Sequence, residues 1–222
     1  MSHNSFNTAE TLRRNGKNIG KPSLASAHLS GIKNKVSLIY SRFTVEELHE
    51  IIEGCKKNDR SSQERLYRRF YPGLFALCKK FFVNNHDILT ALNDGMLNVF
   101  KNIGQFDPAK GELFNWAYTI VRNSAITLLN SQKILKSNVE ITIKIERSLA
   151  DNPFKELEWN EIYANLDRLP PATRAVCTLY YLEGFAIKEI SGSLNLSEGT
   201  IKWHLSESRT RLKTLFSKTT IH

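Results

Sequence analysis

The sequence predicts an all-α fold: two small helical domains joined by an extended linker, the second ending in a helix-turn-helix. Apolar residues recur at helical spacing in successive stretches from Thr44 onward. Capping residues, prolines and glycines punctuate those stretches where helices would begin and end. Only Val139–Ile145 alternates like a strand, and one strand cannot form a sheet. With 222 residues, 41% hydrophobic and 24% charged, the chain has the composition of a soluble globular protein holding one medium or two small domains.

Residues 1–41 are rich in Ser, Asn, Gly, Lys and Arg with little apolar periodicity, which predicts a flexible basic arm. The first helical domain spans 42–130. In "TVEELHEIIEGCKKND", Val45, Leu48, Ile51 and Ile52 share a stripe, with Thr44 as N-cap and Glu47 completing a capping box. "QERLYRRFYPGLFALCKKFF" reads as two helical runs separated by Pro72-Gly73. "DILTALNDGMLNVFKNI" places Leu89, Leu92, Met96, Val99 and Phe100 at helical spacing, and "GQFDPAKGE" reads as a loop before the helix "LFNWAYTIVRNSAITLLN".

Residues 131–152 are the predicted linker. Within it, Val139–Ile145 either packs as an extended segment or lies against a partner. The second domain, 153–222, opens with amphipathic "FKELEWNEIYANLDRL", followed by "PPATRAVCTLYYLEG", with proline at a helix start and glycine at its stop. Then Ile187, Ile190, Ser191, Leu194, Asn195, Leu196, Ile201 and Leu205 fit a helix-turn-helix, with Asn195 in the left-handed turn. Ser197 caps the last helix and Gly199 keeps bulk off its first turn, leaving backbone N–H groups open to a phosphate. With Ile201 and Leu205 turned inward, Trp203 is predicted to point outward beside Thr200, Ser206 and Thr210. Lys202 and His204 flank it and Arg209 follows two turns later.

A formal charge of +9 suits a polyanionic partner. Cys55, Cys78 and Cys177 are too widely spaced for a zinc knuckle or redox motif and read as buried small hydrophobes. No catalytic nucleophile–base pair, phosphate-cradling glycine loop or metal-ligand spacing is present, which predicts a non-enzyme without metal or cofactor. The N-terminus has no apolar leader and no stretch could span a bilayer, which predicts a cytoplasmic protein without membrane insertion.

The stretch from "LDRLPPATRAVCTLYYLEG" through "IKEISGSLNLSEGTIKWHLSESRTRLKTLF", together with "NDGMLNVFKNIGQFD" and "FNWAYTIVRN", resembles regions four and two of bacterial sigma factors of the extracytoplasmic-function group. The resemblance covers about Thr44 to the C-terminus. It implies a transcription initiation factor that binds core RNA polymerase, at the clamp coiled coil of the largest subunit and the flap of the second-largest. It further implies promoter DNA as ligand and leaves an anti-sigma factor or a recruiting DNA-bound protein open as partners.

Residue by residue, the resemblance assigns Asn93, Asp94, Leu97 and Phe100 to polymerase. It assigns Gln105, Phe106, Asp107, Lys110, Asn115, Trp116, Arg122 and Asn123 to the opened minus-ten strand, where bases need aromatic faces and amides and phosphates need cations. Phe114 and Tyr118 lie in the same stretch, and Asn115, Arg122 and Asn123 are expected to be exposed. Ser197, Gly199, Thr200, Lys202, Trp203, His204, Ser206 and Arg209 fall to the minus-thirty-five element.

Within the resemblance, many relatives carry Asp near Thr90, Asp at Thr127 and Arg at Asn130; "IKWHLSES" replaces a more usual small-polar and Arg-rich run. These departures suggest dependence on the basic arm or on a recruiting partner. Two other readings are a stand-alone helix-turn-helix regulator, which would have no use for "NDGMLNVFKNI", and a helical interaction adaptor, against which Lys202-Trp203-His204 argues.

Overall fold

The computed structural model describes residues 43–132 and 159–219, with side chains to 214. The basic arm and the alternating Val139–Ile145 segment lie outside the described residues, as does most of the linker. Within them every regular element is helical.

The first unit has four helices: α1 (Val45–Lys56), α2 (Arg60–Lys79), α3 (Asn85–Asn102) and α4 (Leu113–Ser131). Each of the first three begins on a side-chain cap. Thr44 and Glu47 form the reciprocal capping box on α1, Asp59 accepts from Ser62 N, and Asn84 accepts from Asp87 N. Asn58, at φ 59°, lets the chain turn from α1 into α2.

Pro72 does not divide α2, which runs unbroken from Arg60 to Lys79. An internal proline forfeits a backbone hydrogen bond. Phe70, Leu74 and Leu77, buried on either side of it, supply compensating apolar burial. Val45 and Leu89, placed on apolar stripes by periodicity, are exposed. The core instead gathers Ile51, Leu66, Phe70, Leu92, Met96, Val99, Phe114 and Val121, with Phe70 edge-on to Phe114 at 5.1 Å.

Gly95 sets the approach of α3 to α4. A Cβ there would lie 2.7 Å from Val121 Cα and 2.8 Å from Val121 Cγ2, and backbone cannot yield as a side-chain tip can. The glycine is thus worth more to packing than the roughly 1 kcal/mol of helix propensity it forfeits relative to alanine.

The second unit comprises α5 (Trp159–Leu166), α6 (Pro171–Cys177), a π turn over Thr178–Leu182, α7 (Ile187–Leu194) and α8 (Glu198–Thr219). The π turn is closed by Glu183 N–H donating to Thr178 O at 2.9 Å. Its extra residue helps turn Thr178, Leu179, Tyr181, Leu182 and Glu183 all inward. Gly184, at φ 75°, then reverses the chain. Between α7 and α8, Asn195 occupies the left-handed turn (φ 54°, ψ 40°), as its place in the sequence predicts. Ser191 Oγ donates to Leu196 O across that turn.

The two units pack directly together through buried polar groups. The Arg174 side chain, 1% exposed, donates from Nε to Lys80 O (2.9 Å) and from Nη2 to Lys79 O (2.6 Å) and Phe82 O (3.2 Å), capping the C-terminal end of α2. Burial pushes its pKa down, and Asp167, 2.8 Å away, opposes that shift. Thr178 Oγ1 donates to Lys80 O and Tyr163 Oη to Ala76 O. Nearby, Lys80 Nζ reaches Glu183 Oε1 at 3.0 Å and Tyr118 Oη at 3.1 Å, while Tyr118 Oη donates to Glu183 Oε1 at 2.8 Å. All three cysteines are free and buried, and burial raises their pKa values, that of Cys55 to about 11 and those of Cys78 and Cys177 to about 12.

Gly95→Ala is expected to lower stability by about 1–3 kcal/mol, against the usual gain of alanine over glycine in a helix. Urea unfolding of the full chain measures it; a gain in stability would show that α4 yields freely.

Candidate nucleic-acid interface

On α3, Asn93, Asp94 and Leu97 form an exposed strip, Leu97 being 50% accessible. Tyr67 Oη holds Asn93 Oδ1 at 2.9 Å. Phe100 is half-buried against the core. Asp94 and Leu97 border a shallow groove of about 270 Å³ whose other wall is Ser124, Thr127, Leu128 and Ser131 of α4. An apolar side chain beside a carboxylate in such a groove suits an amphipathic, basic helix.

The loop after α3 is ordered by two 3₁₀ turns, Ile103–Gln105 and Pro108–Lys110. Gln105 is exposed and donates to Asn102 Oδ1. Asp107 accepts from Ala109 N and pairs with exposed Lys110 at 3.2 Å; those hydrogen bonds, the Ala109 one first, hold its pKa below the usual value. Phe106 leans on Trp116 with ring centroids 5.7 Å apart, both half-buried. On α4, Asn115, Thr119, Asn123 and Thr127 make an exposed polar face at four-residue spacing. Thr119 was not singled out by the sequence reading, although its spacing from Asn115 and Asn123 marks it.

Arg122 departs from expectation. Its side chain is 15% exposed, lies 3.6 Å from Glu183 Oε2 and stacks over Phe185 at 4.8 Å, so it faces the second unit. Helical geometry accounts for this: Tyr118 and Arg122 are four residues apart, on the side of α4 that meets Glu183. Phe114 is buried core.

In the second unit, Ser197 Oγ accepts from Thr200 N at 3.1 Å, the predicted cap on α8. Ser197 and Lys202 are exposed, and Gly199, Thr200, Trp203, Ser206 and Arg209 partly so. Arg209 Nη1 donates to Tyr181 Oη. Trp203 is less outward than expected, half-buried with its ring 4.9 Å from that of His204. His204 itself is 3% exposed, its Nδ1 2.9 Å from Thr173 Oγ1. It cannot reach a base. The inward stripe of α8 is Ile201, His204, Leu205, Ser208 and Leu212, wider than the Ile201–Leu205 line used to orient the helix.

Two comparisons with known proteins coincide with these two surfaces. The Sigma-70 region 2 family model matches residues 66–134 and the Sigma-70, region 4 model matches residues 159–212. The chain belongs to the sigma-70 family, and the relatives it is similar to are factors of the extracytoplasmic-function group. It is 25% identical over 160 residues to the ECF RNA polymerase sigma factor SigM of Bacillus subtilis, covering 70% of this chain and 95% of that relative. It is 26% identical over 168 residues to the SigM of Mycobacterium tuberculosis H37Rv, covering 75% and 83%. With SigE of Mycolicibacterium smegmatis it shares 23% identity over 163 residues, covering 71% of this chain but 62% of that protein. The structure of CnrH in complex with the cytosolic domain of CnrY superimposes with a TM-score of 0.38 at 17% identity, over 76% of this chain and 96% of that one.

Burial pushes the pKa of His204 down to about 4, with Glu207 acting in the opposite sense. The folded protein therefore holds a neutral imidazole, and the stability this gives is present above about pH 6.5. As pH falls from there to about 4 the unfolded chain gains a proton that the folded one refuses, removing up to about 3 kcal/mol. His204→Gln is expected to flatten that part of the pH profile, measured as the difference from the parent protein in denaturant unfolding between pH 7 and 4.5.

Proposed function

We propose that this chain is a non-enzymatic transcription initiation factor that binds core RNA polymerase, directs it to promoters and helps open the minus-ten DNA. The observation that carries the reading is the pairing of two different surfaces. One unit holds the Asp94–Leu97 groove beside an amide-lined helix face, and the other holds a capped helix-turn-helix. Sigma factors bind both core polymerase and promoter DNA, and a chain doing so needs both surfaces. A stand-alone regulator would leave the α3 groove without use.

In this reading Asn93, Asp94 and Leu97 meet the clamp coiled coil, with Phe100 supporting them from behind, and the second unit meets the flap. Asn115, Thr119 and Asn123 receive the opened strand, with Gln105, Phe106, Lys110 and Trp116 along the adjoining loop and helix start; Asp107 shapes the loop. Ser197, Gly199 and Thr200 offer the N-terminal end of α8 to a phosphate, and Lys202, Trp203, Ser206 and Arg209 follow along the groove. The arm, a recruiting DNA-bound protein and an anti-sigma factor complete the proposed partners.

Asp94→Arg with Leu97→Asp is expected to weaken co-elution with core polymerase at least about tenfold, a difference of roughly 1.4 kcal/mol, with circular dichroism unchanged. Unaltered co-elution would take α3 out of the contact. Lys202→Ala is expected to weaken promoter binding alike on all sequences and to reduce the slope of log affinity against log salt by about 1. Filter binding across a salt series measures both; an unchanged slope would remove Lys202 from the phosphates.

A further inference from the structure

We propose that the basic arm supplies the phosphate-binding cations of the minus-ten site, lying along a strand whose bases rest on the amide face of α4. The inference rests on the reading of the chain as an initiation factor and names where the arm acts. Sites for single-stranded nucleic acid combine stacking and polar faces for the bases with cations that track the backbone. The first unit presents only the former. Phe106, Trp116 and the row Asn115, Thr119, Asn123 and Thr127 are in place, but of the 19 residues of α4 only Arg122 is charged, and it faces Glu183. In the preceding loop Lys110 pairs with Asp107. From Lys101 to Ser131 there are three basic residues against two acidic ones, a formal charge of +1.

The charge this face lacks is concentrated at the start of the chain. Residues 1–41 hold six Lys or Arg and one acid, a formal +5 of the chain's +9. The arm joins the fold on the side where the strand would lie. Its root is Phe43, half-buried with its ring 6.3 Å from that of Phe70, and Phe70 is in turn edge-on at 5.1 Å to Phe114 in the first turn of α4. The helix that follows Phe43, α1, packs on the 3₁₀ turn Ile103–Gln105 of the loop. That end of α1 turns Glu46, Glu47 and Glu50 to solvent, so the helix brings no cation of its own to the strand. Reach is sufficient. Lys35 and Lys33 precede Phe43 by eight and ten residues, spans of at most about 29 and 36 Å, while the row from Asn115 to Thr127 is only about 18 Å long. Backbone contacts carry no sequence information, so the arm sets affinity and the amides of α4 choose the bases.

Two measurements test this. In the first, the full chain is titrated onto a fluorescent, mixed-sequence single strand of about twelve nucleotides across a salt series. Replacing Arg13, Arg14, Lys17, Lys21, Lys33 and Lys35 by Gln is expected to lower the slope of log affinity against log salt by at least about 2, the equivalent of three lost contacts at about 0.7 each. Lys33→Gln with Lys35→Gln should lower it by about 1.4, whereas Lys57→Gln with Arg60→Gln, the same loss of charge at the exposed turn between α1 and α2, should leave it unchanged. A slope that survives in the six-site variant, or falls equally in both paired variants, overturns the proposal. The second measurement locates the arm. In a complex with core polymerase and a promoter recovered from the same genome by chromatin sequencing, a DNA-cleaving iron chelate on Ser23→Cys, the natural thiols being buried, is expected to cut around the minus-ten element. Cuts confined to the minus-thirty-five element, or none, overturn it as well. If no promoter complex forms at all, the functional reading fails and this inference with it; a complex that forms from a chain whose six-site variant keeps its salt slope strikes this inference alone.

Discussion

A carboxylate with no access to water governs the relation between the two halves of this molecule. Glu183 is enclosed by polar partners: Lys80 from the end of α2 and Arg122 from α4 face it, and Tyr118 donates to it. A buried anion without such company would cost several kcal/mol. Local backbone features put it there. The π turn before Glu183 brings it inward, and Gly184 takes up the positive φ that carries the chain away again. The orientation of α7 and α8 on α4 thus depends on one residue's electrostatics as well as on apolar burial.

The faces of α4 divide the labour. One meets α3, so closely that only glycine fits at position 95. Another carries Tyr118 and Arg122 to the second unit, and a third presents Asn115, Thr119, Asn123 and Thr127 to solvent. With about 100° between successive residues, such a helix can hold a core contact, a domain contact and a polar recognition face together. Thr127 and Asn130 are neutral, and Asn130 donates to a backbone carbonyl of α7. A neutral amide suits a position that meets protein.

What could be read from the sequence was what local chemistry decides. The capping box at Thr44, the left-handed Asn195, the cap at Ser197 and the glycine stop at 184 each have a steric or hydrogen-bonding cause within a few residues. The helix-turn-helix, assembled from such signals, was legible for the same reason. The errors lie where tertiary contacts decide. Pro72 stays within a helix because its neighbours are buried, and Arg122 turns to a partner sixty-one positions along the chain. His204 looked like a groove-facing polar residue because nothing nearby in sequence reveals Thr173. Nothing local in the sequence marks Arg174, yet it is among the largest fully buried side chains.

Arg174 makes three of its bonds to main-chain carbonyls, those of Lys79, Lys80 and Phe82. The acceptors are peptide oxygens, present whatever side chains those positions carry, and what places them is the point at which α2 terminates. For Arg174's bonds, the side chains of this corner matter less than its length. A residue inserted or deleted between Lys79 and Phe82 would change the spacing of these oxygens, and no change of side chain could compensate. Homologues that preserve this junction should reveal it through the absence of gaps rather than the presence of invariant residues.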